Sequence, residues 1–375
     1  MTTLNRASHQ WATRPADERF LSLTDMRDAA CRQKQLSRSS AFPSRTLEAR
    51  PGLKEDGSAD MFGVVIDGLR DEPAAPTHWA FGQLCELAKA PAGYLRTLPS
   101  PMAADCINYG LKIARDVADV GVLSRVEEEG AEQAILAAAT GPNYGRIWNC
   151  DTIDALIQRF GNGRDGAFRV PGEFGKPVPI TLDNTTLYAS DRDMFVFLAD
   201  EGHAFEVANR RGGKPGMMSR GFFVWNSEVG SASLGVATFL FDYVCSNRIV
   251  WGASQYEEIR IRHTVSGPTK FVEQVGPALE AYAKSSTAGI EAAVKDAQAK
   301  RIGKDSDEVL DFLAKRFSKR EAAAIVLAHE SDEGRPIETV WDAVVGATAF
   351  ARGKEHQDVR VGFERQAGKL LDLVG

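Results

Sequence analysis

The spacing of apolar and polar positions changes character twice along the chain. From Met1 to about Asp71 no period is sustained. Polar residues, Pro and Gly mix with brief apolar patches such as MFGVVIDGL (Met61–Leu69), which predicts an irregular arm ending in a short strand or hairpin. From Thr77 the rhythm is helical. Phe81, Leu84, Leu87 and Ala88 recur on one helix face, Thr77 stands where a cap belongs, and the APAG break (Ala90–Gly93) leads into a second short helix stopped by Pro99. Two short helices round a tight turn have the outline of a helix-turn-helix, but no basic recognition helix follows, and a helical hairpin is the simpler packing unit. Further helices are expected over PMAADCINYGLKIARD (Pro101–Asp116) and DTIDALIQRF (Asp151–Phe160).

From Phe168 to Thr264 the period becomes two. TTLYAS, DMFVFLAD, HAFEVAN, SRGFFVWNSEV, SLGVATFLFDYV, NRIVW and YEEIRIRHT are β-branched or aromatic runs separated by Asp, Asn, Gly and Pro. Short turns such as DEGH (Asp200–His203) and EVGSAS join consecutive runs, so an antiparallel meander is expected, with Phe222–Val229 and Leu234–Val244 as adjacent strands. After Pro268 the chain reads as helix to its end, and SKRE (Ser318–Glu321) is a capping box. The fold class is therefore α+β: an N-terminal arm with short strands (1–76), a mixed helical region (77–165), a central antiparallel β-meander (166–266) and a C-terminal helical layer (267–375).

Composition narrows the function classes. The 375 residues are 43% hydrophobic and 26% charged, ordinary for a folded chain long enough for two or three modules. No membrane helix is expected, and the N-terminus lacks the apolar core of a secretion signal, which points to the cytoplasm. Cys31, Cys85, Cys106, Cys150 and Cys245 are odd in number and form no CxxC pair. They fit reduced thiols better than a disulfide framework or a zinc site. Gly161, Gly163 and Gly166 spell G-x-G-x-x-G, but a helix precedes them and a strand-like AFRV follows, the reverse of a dinucleotide-binding turn. No cofactor is expected.

The net charge of −6 argues against a chain that coats nucleic acid over its whole surface, yet Phe205–Lys270 carries eight Lys/Arg against five acids. In YEEIRIRHT, Ile259 and Ile261 alternate with Tyr256, Glu258, Arg260 and Arg262. Two arginines and a tyrosine on one face could follow a phosphate backbone and stack a base. The Gly-rich loop NRRGGKPGMMSRG adds Arg210, Arg211, Lys214 and Arg220, and Arg248 stands on a neighbouring run. These eight are the candidate nucleic-acid contacts; the plain alternative is a half-solvated strand and a solvated loop. Asp191 and Asp193 with Glu201 and His203 form the best metal-like cluster, although turn chemistry accounts for them at least as well, and no metal site or catalytic residue is assigned. Cys245 reads as a buried thiol, and His263, His329 and His356 lack ligand spacing.

GFFVWNSEVGSASLGVATFLFDYVCSNRIVWG (Gly221–Gly252), followed by IRIRHT and by TVWDAVVGATAFARGKEHQ, resembles a phage- and plasmid-encoded family known as domain of unknown function 932. The resemblance runs from about Thr77 to Val374 and is strongest at Trp225–Gly230 and Val244–Asn247. It implies a mobile-element protein and no particular activity. The expectation is a non-enzymatic DNA-metabolism protein that binds single-stranded DNA, as an annealing or recombination factor, and forms homo-oligomers through its apolar sheet. The competing readings are a metal-dependent nuclease and an interaction protein that antagonises a host defence factor.

Overall fold

The computed structural model describes residues 13–374 apart from 54–58, 67–69, 114–118, 132–133, 172–178, 209 and 252–257. The short strand β1 (Glu18–Arg19) precedes helix α1 (Leu23–Gln35), whose N-terminus is capped by the Ser22 hydroxyl accepting the Asp25 N–H. Then come β2 (Ser37–Pro43), β3 (Leu47–Leu53), β4 (Ala59–Ile66), β5 (Arg70–Pro76), helices α2 (His78–Leu87), α3 (Ala92–Leu95) and α4 (Ser100–Ile113), and strands β6 (Asp119–Val126) and β7 (Ala134–Thr140). β2 to β7 form a six-stranded sheet in the order β2-β6-β7-β5-β4-β3, antiparallel except for the β5–β7 pair. Its core is built by Phe62, Val64, Val120, Val122 and Leu136 against Phe81, Leu84, Ala103, Ala104 and Ile107 of α2 and α4.

This sheet is the largest departure from the sequence reading. The segment expected to be an irregular arm supplies four of its strands, and the helical region supplies the other two, so one sheet bridges the boundary set at residue 76. The signals were suppressed for local reasons. β2 is the polar edge strand SRSSAFP, β3 (LEARPGL) contains Pro and Gly, and β7 (AILAAAT) has the alanine content of a helix.

Helix α5 (Asn149–Phe160) leads into the second sheet: β8 (Phe168–Arg169), β9 (Leu187–Ala189), β10 (Met194–Asp200), β11 (Phe205–Val207), β12 (Gly216–Asn226), β13 (Leu234–Asp242), β14 (Asn247–Ile249) and β15 (Ile259–Ile261). Its backbone order is β1-β9-β10-β12-β13-β14, with every pairing antiparallel. The expected adjacency holds: Phe222 is paired with Thr238 and Trp225 with Gly235. A side chain at Gly235 would collide with the Trp225 indole, which lies across it. The remaining helices are α6 (Gly267–Ala283), α7 (Ala288–Ala299), α8 (Ser306–Ala314), α9 (Lys319–Glu333), α10 (Val340–Arg352) and α11 (Gln357–Gly368). The capping box at Ser318 and Glu321 opens α9.

Both faces of this sheet are covered. Met194, Val196, Leu198, Phe222 and Val224 pack with α1, α5 and α6, whereas Phe195, Phe197, Phe223, Trp225 and Phe239 lie on the opposite face with Val361 of α11. Burial on both sides makes each strand a nearly continuous apolar run. It also removes the reason for expecting copies of the chain to associate through the sheet. The cysteine expectation is corrected as well. Cys31 on α1 and Cys150 on α5 form a disulfide with Cα atoms 4.8 Å apart, tying together two helices 119 residues apart in sequence. Packing of α1 on α5 made this pair, and no local spacing announced it. No helix among the described residues is long and apolar enough to cross a membrane.

Candidate nucleic-acid interface

The seven basic candidates among the described residues do not share a face. Arg210, Arg220 and Arg248 are among the most deeply buried side chains of the protein. Arg210 donates to Asp242 and Glu333 at 2.5 and 2.6 Å, Arg220 to Asp200 at 3.1 Å and to the Ser285 carbonyl, and Arg248 to Glu364 at 2.9 Å and to Gln357. Their guanidiniums are counter-ions for carboxylates inside the fold, because a buried charge persists only when paired. They are structural anchors, which corrects their inclusion in a basic face. Arg211 and Lys214 are exposed beside the start of β12, and Arg260 and Arg262 are exposed near its other end. The 11 residues of β12 put about 33 Å between those ends. Arg260 is also neutralised by Glu258 at 2.7 Å. Tyr256 lies outside the described residues.

The metal-like cluster is likewise dispersed. Asp191 and Asp193 precede β10 and Glu201 and His203 follow it, about 20 Å apart along the strand. Asp193 accepts the Ser190 hydroxyl, and His203 contacts Asp200. Among the described residues no group of three or more His, Cys, Asp or Glu could hold a metal ion. Cys245 is half-buried, and burial pushes its thiol up to about 12, so it is a poor nucleophile.

The polar residues of Trp225–Gly230 have a clear mechanical role. Asn226 donates to the Ile147 carbonyl (2.7 Å) and to Asn149 Oδ1 (2.8 Å), and Glu228 accepts the Asn149 N–H at 2.7 Å in the first turn of α5. Ser227 donates to the Arg192 carbonyl, and its own carbonyl accepts the Tyr144 hydroxyl at 2.6 Å. Trp79 and Gln83 of α2 both donate to the Val229 carbonyl. The loop after β12 is thus a clasp joining the two sheets.

Beside this clasp the fold assembles a cationic and aromatic seam. Residues 144–148 carry no regular secondary structure, and Tyr144, Arg146 and Trp148 are drawn together there. The Arg146 guanidinium lies 5.2 Å from the Tyr144 ring centre and 5.7 Å from that of Trp148. Tyr144 stacks on His263 at 4.8 Å, and Lys34 reaches Trp148 at 5.7 Å while pairing with Asp151. Arg146 donates to the Ser39 hydroxyl at 3.4 Å, and its Nε and Nη1 are buried without an acceptor. Burial lowers the Arg146 and Arg125 guanidiniums from their ordinary range and raises the Glu228 carboxyl, which both arginines pull back down. Burial also holds His263 at about 4, so it is neutral at pH 7, and its Nδ1 accepts the Ile147 N–H.

Arg125, Tyr144, Arg146, Trp148 and Lys34 were absent from the sequence candidates. The one local signal was Y-x-R-x-W within GPNYGRIWN, an alternation that presents aromatic, cation and aromatic together if the segment is extended. No curated protein and no solved structure matches the chain. Residues 202–364, a narrower span than the resemblance in the sequence but one that contains both Trp225–Gly230 and Val244–Asn247, match the family model described as domain of unknown function (DUF932).

Proposed function

We propose that the chain is a single-strand nucleic-acid-binding protein, serving annealing or recombination in a phage or plasmid, and that its contact surface is the seam of Tyr144, Arg146, Trp148 and His263 rather than the meander face. One observation carries this reading: Arg146 stands beside two aromatic rings, and its exposed hydrogen bond, from Nη2 to the Ser39 hydroxyl, is long at 3.4 Å. A donor held by so long a bond can exchange it for a phosphate oxygen, which a guanidinium binds more strongly than a hydroxyl. Rings flanking a cation provide stacking for bases without selecting sequence. The exposed Arg262, adjacent to His263, extends the path, and the acidic remainder of the chain keeps binding local.

The test is fluorescence anisotropy with a labelled oligonucleotide across a salt series. Arg146→Gln should weaken binding and flatten the log–log salt slope by about 0.7. Trp148→Ala should cost on the order of 1–3 kcal/mol with little change in slope, and Arg211→Ala with Lys214→Ala, at the far end of β12, should change neither. Absence of binding by the wild-type protein at low salt, or loss of binding only in the Arg211 and Lys214 variant, would refute the seam.

A further inference from the structure

Helix α4 has two apolar faces. Ala103, Ala104, Ile107 and Leu111 are buried in the first core, and Asn108 fixes the rotation of the helix by accepting the Ala49 N–H (2.8 Å) and donating to the Ala49 carbonyl (2.7 Å). At Gly110 an added side chain would meet the Ala88 carbonyl, so the helix sits against its own lobe at backbone distance. The other face therefore cannot turn inward. It carries Met102 (54% exposed), Cys106 (exposed), Tyr109 (67%) and Ile113 (54%), spaced four, three and four residues apart. That spacing makes one stripe along the helix, of the kind that packs on a second helix.

We infer that this stripe is a twofold interface between two copies of the chain, with the α4 helices antiparallel. The stripe is complementary to itself in that orientation. With the axis between Ile107 and Asn108, Met102 faces Ile113 of the second copy and Cys106 faces its Tyr109, and each contact occurs twice, as a closed dimer requires. The flanking charges agree. Asp105 and Lys112 are exposed, seven residues apart along the same edge of the stripe, and the antiparallel arrangement sets each against the opposite charge of the other copy. A parallel pair would set this edge against the opposite edge of the second copy's stripe, away from its Asp105 and Lys112, and leave both charges unmatched. The inference is independent of the nucleic-acid reading, because α4 packs on the face of its sheet opposite the one where Leu123, Ala137 and Ala138 meet Val229 and Trp148.

The experiment is sedimentation equilibrium of the full chain, whose monomer mass is 40.8 kDa. A concentration-dependent dimer is expected. Tyr109→Glu should abolish it while leaving the thermal melt unchanged at dilutions where the wild type is monomeric, since the side chain is exposed in the single chain. Asp105→Lys should weaken the dimer roughly tenfold, and Asp105→Lys combined with Lys112→Asp should restore it. Cys106, the exposed free thiol, should be joined to its counterpart by a short bismaleimide only in the dimer. A monomer at all concentrations overturns the inference, as does a dimer indifferent to Tyr109→Glu. A charge swap that fails to rescue overturns the antiparallel arrangement.

Discussion

Arg210 is the sharpest test of whether the basic residues of the middle segment serve surface or interior. It is 1% exposed and bridges two carboxylates that are themselves buried, Asp242 at 2.5 Å and Glu333 at 2.6 Å, with the Trp341 ring 5.9 Å away. Burial alone would lower its guanidinium pKa, but Asp242 and Glu333 outweigh that and raise it above its ordinary value. Replacing Arg210 with Met keeps most of the volume and removes the cation. Asp242 would retain the Val244 N–H, and Glu333 a distant Cys245 thiol at 3.8 Å. Breaking a buried pair from one side costs about 3–5 kcal/mol, and here two carboxylates lose their partner. The penalty carries a sign in pH. Burial already pushes Asp242 upward, and without Arg210 only the Val244 N–H opposes it, so the folded variant binds a proton that the unfolded chain releases. Its deficit is therefore greatest at pH 8 and shrinks as pH falls toward the raised pKa. Urea unfolding at pH 6 and pH 8 measures both effects, and adding Asp242→Asn and Glu333→Gln to Arg210→Met should recover most of the loss. A deficit below about 1 kcal/mol at pH 8, the size of an ordinary surface substitution, would refute the anchor assignment and return Arg210 to the surface.

Two further outcomes are expected. Burial raises Asp193 to about 6, a folded pKa above the unfolded one, so its contribution is present below about pH 4 and lost as pH rises through 6; Asp193→Asn should gain stability over wild type on going from pH 4 to pH 7, and equal pH profiles would contradict this. Intact-mass analysis after blocking free thiols should find Cys31 and Cys150 protected, and Cys31→Ser with Cys150→Ser should lower stability by about 2–5 kcal/mol under non-reducing conditions, with no difference once the wild type is reduced.

Periodicity alone determined the α+β class, the pairing of the Phe222 and Phe239 strands and the helical C-terminal layer. These elements announce themselves because their apolar residues repeat at the period of the structure that buries them. The first sheet was illegible for the complementary reason. Its edge strand is exposed and polar, its β3 is broken by Pro51 and Gly52, and its β7 is nearly all small residues, so burial there comes from what packs on the strands. Charge was read correctly as residue type and wrongly as location. Arg210, Arg220 and Arg248 are indistinguishable in sequence from Arg211 and Lys214, and only the carboxylates brought to them by Glu333, Asp200 and Glu364, up to 123 residues away, decide which cations leave the surface. The seam has the same origin. The clasp of Asn226, Ser227 and Glu228 holds the segment of Tyr144 to Asn149, and the Ile147 N–H bonded to His263 Nδ1 adds the segment of His263, by hydrogen bonds that close between distant parts of the chain and leave no trace in local spacing.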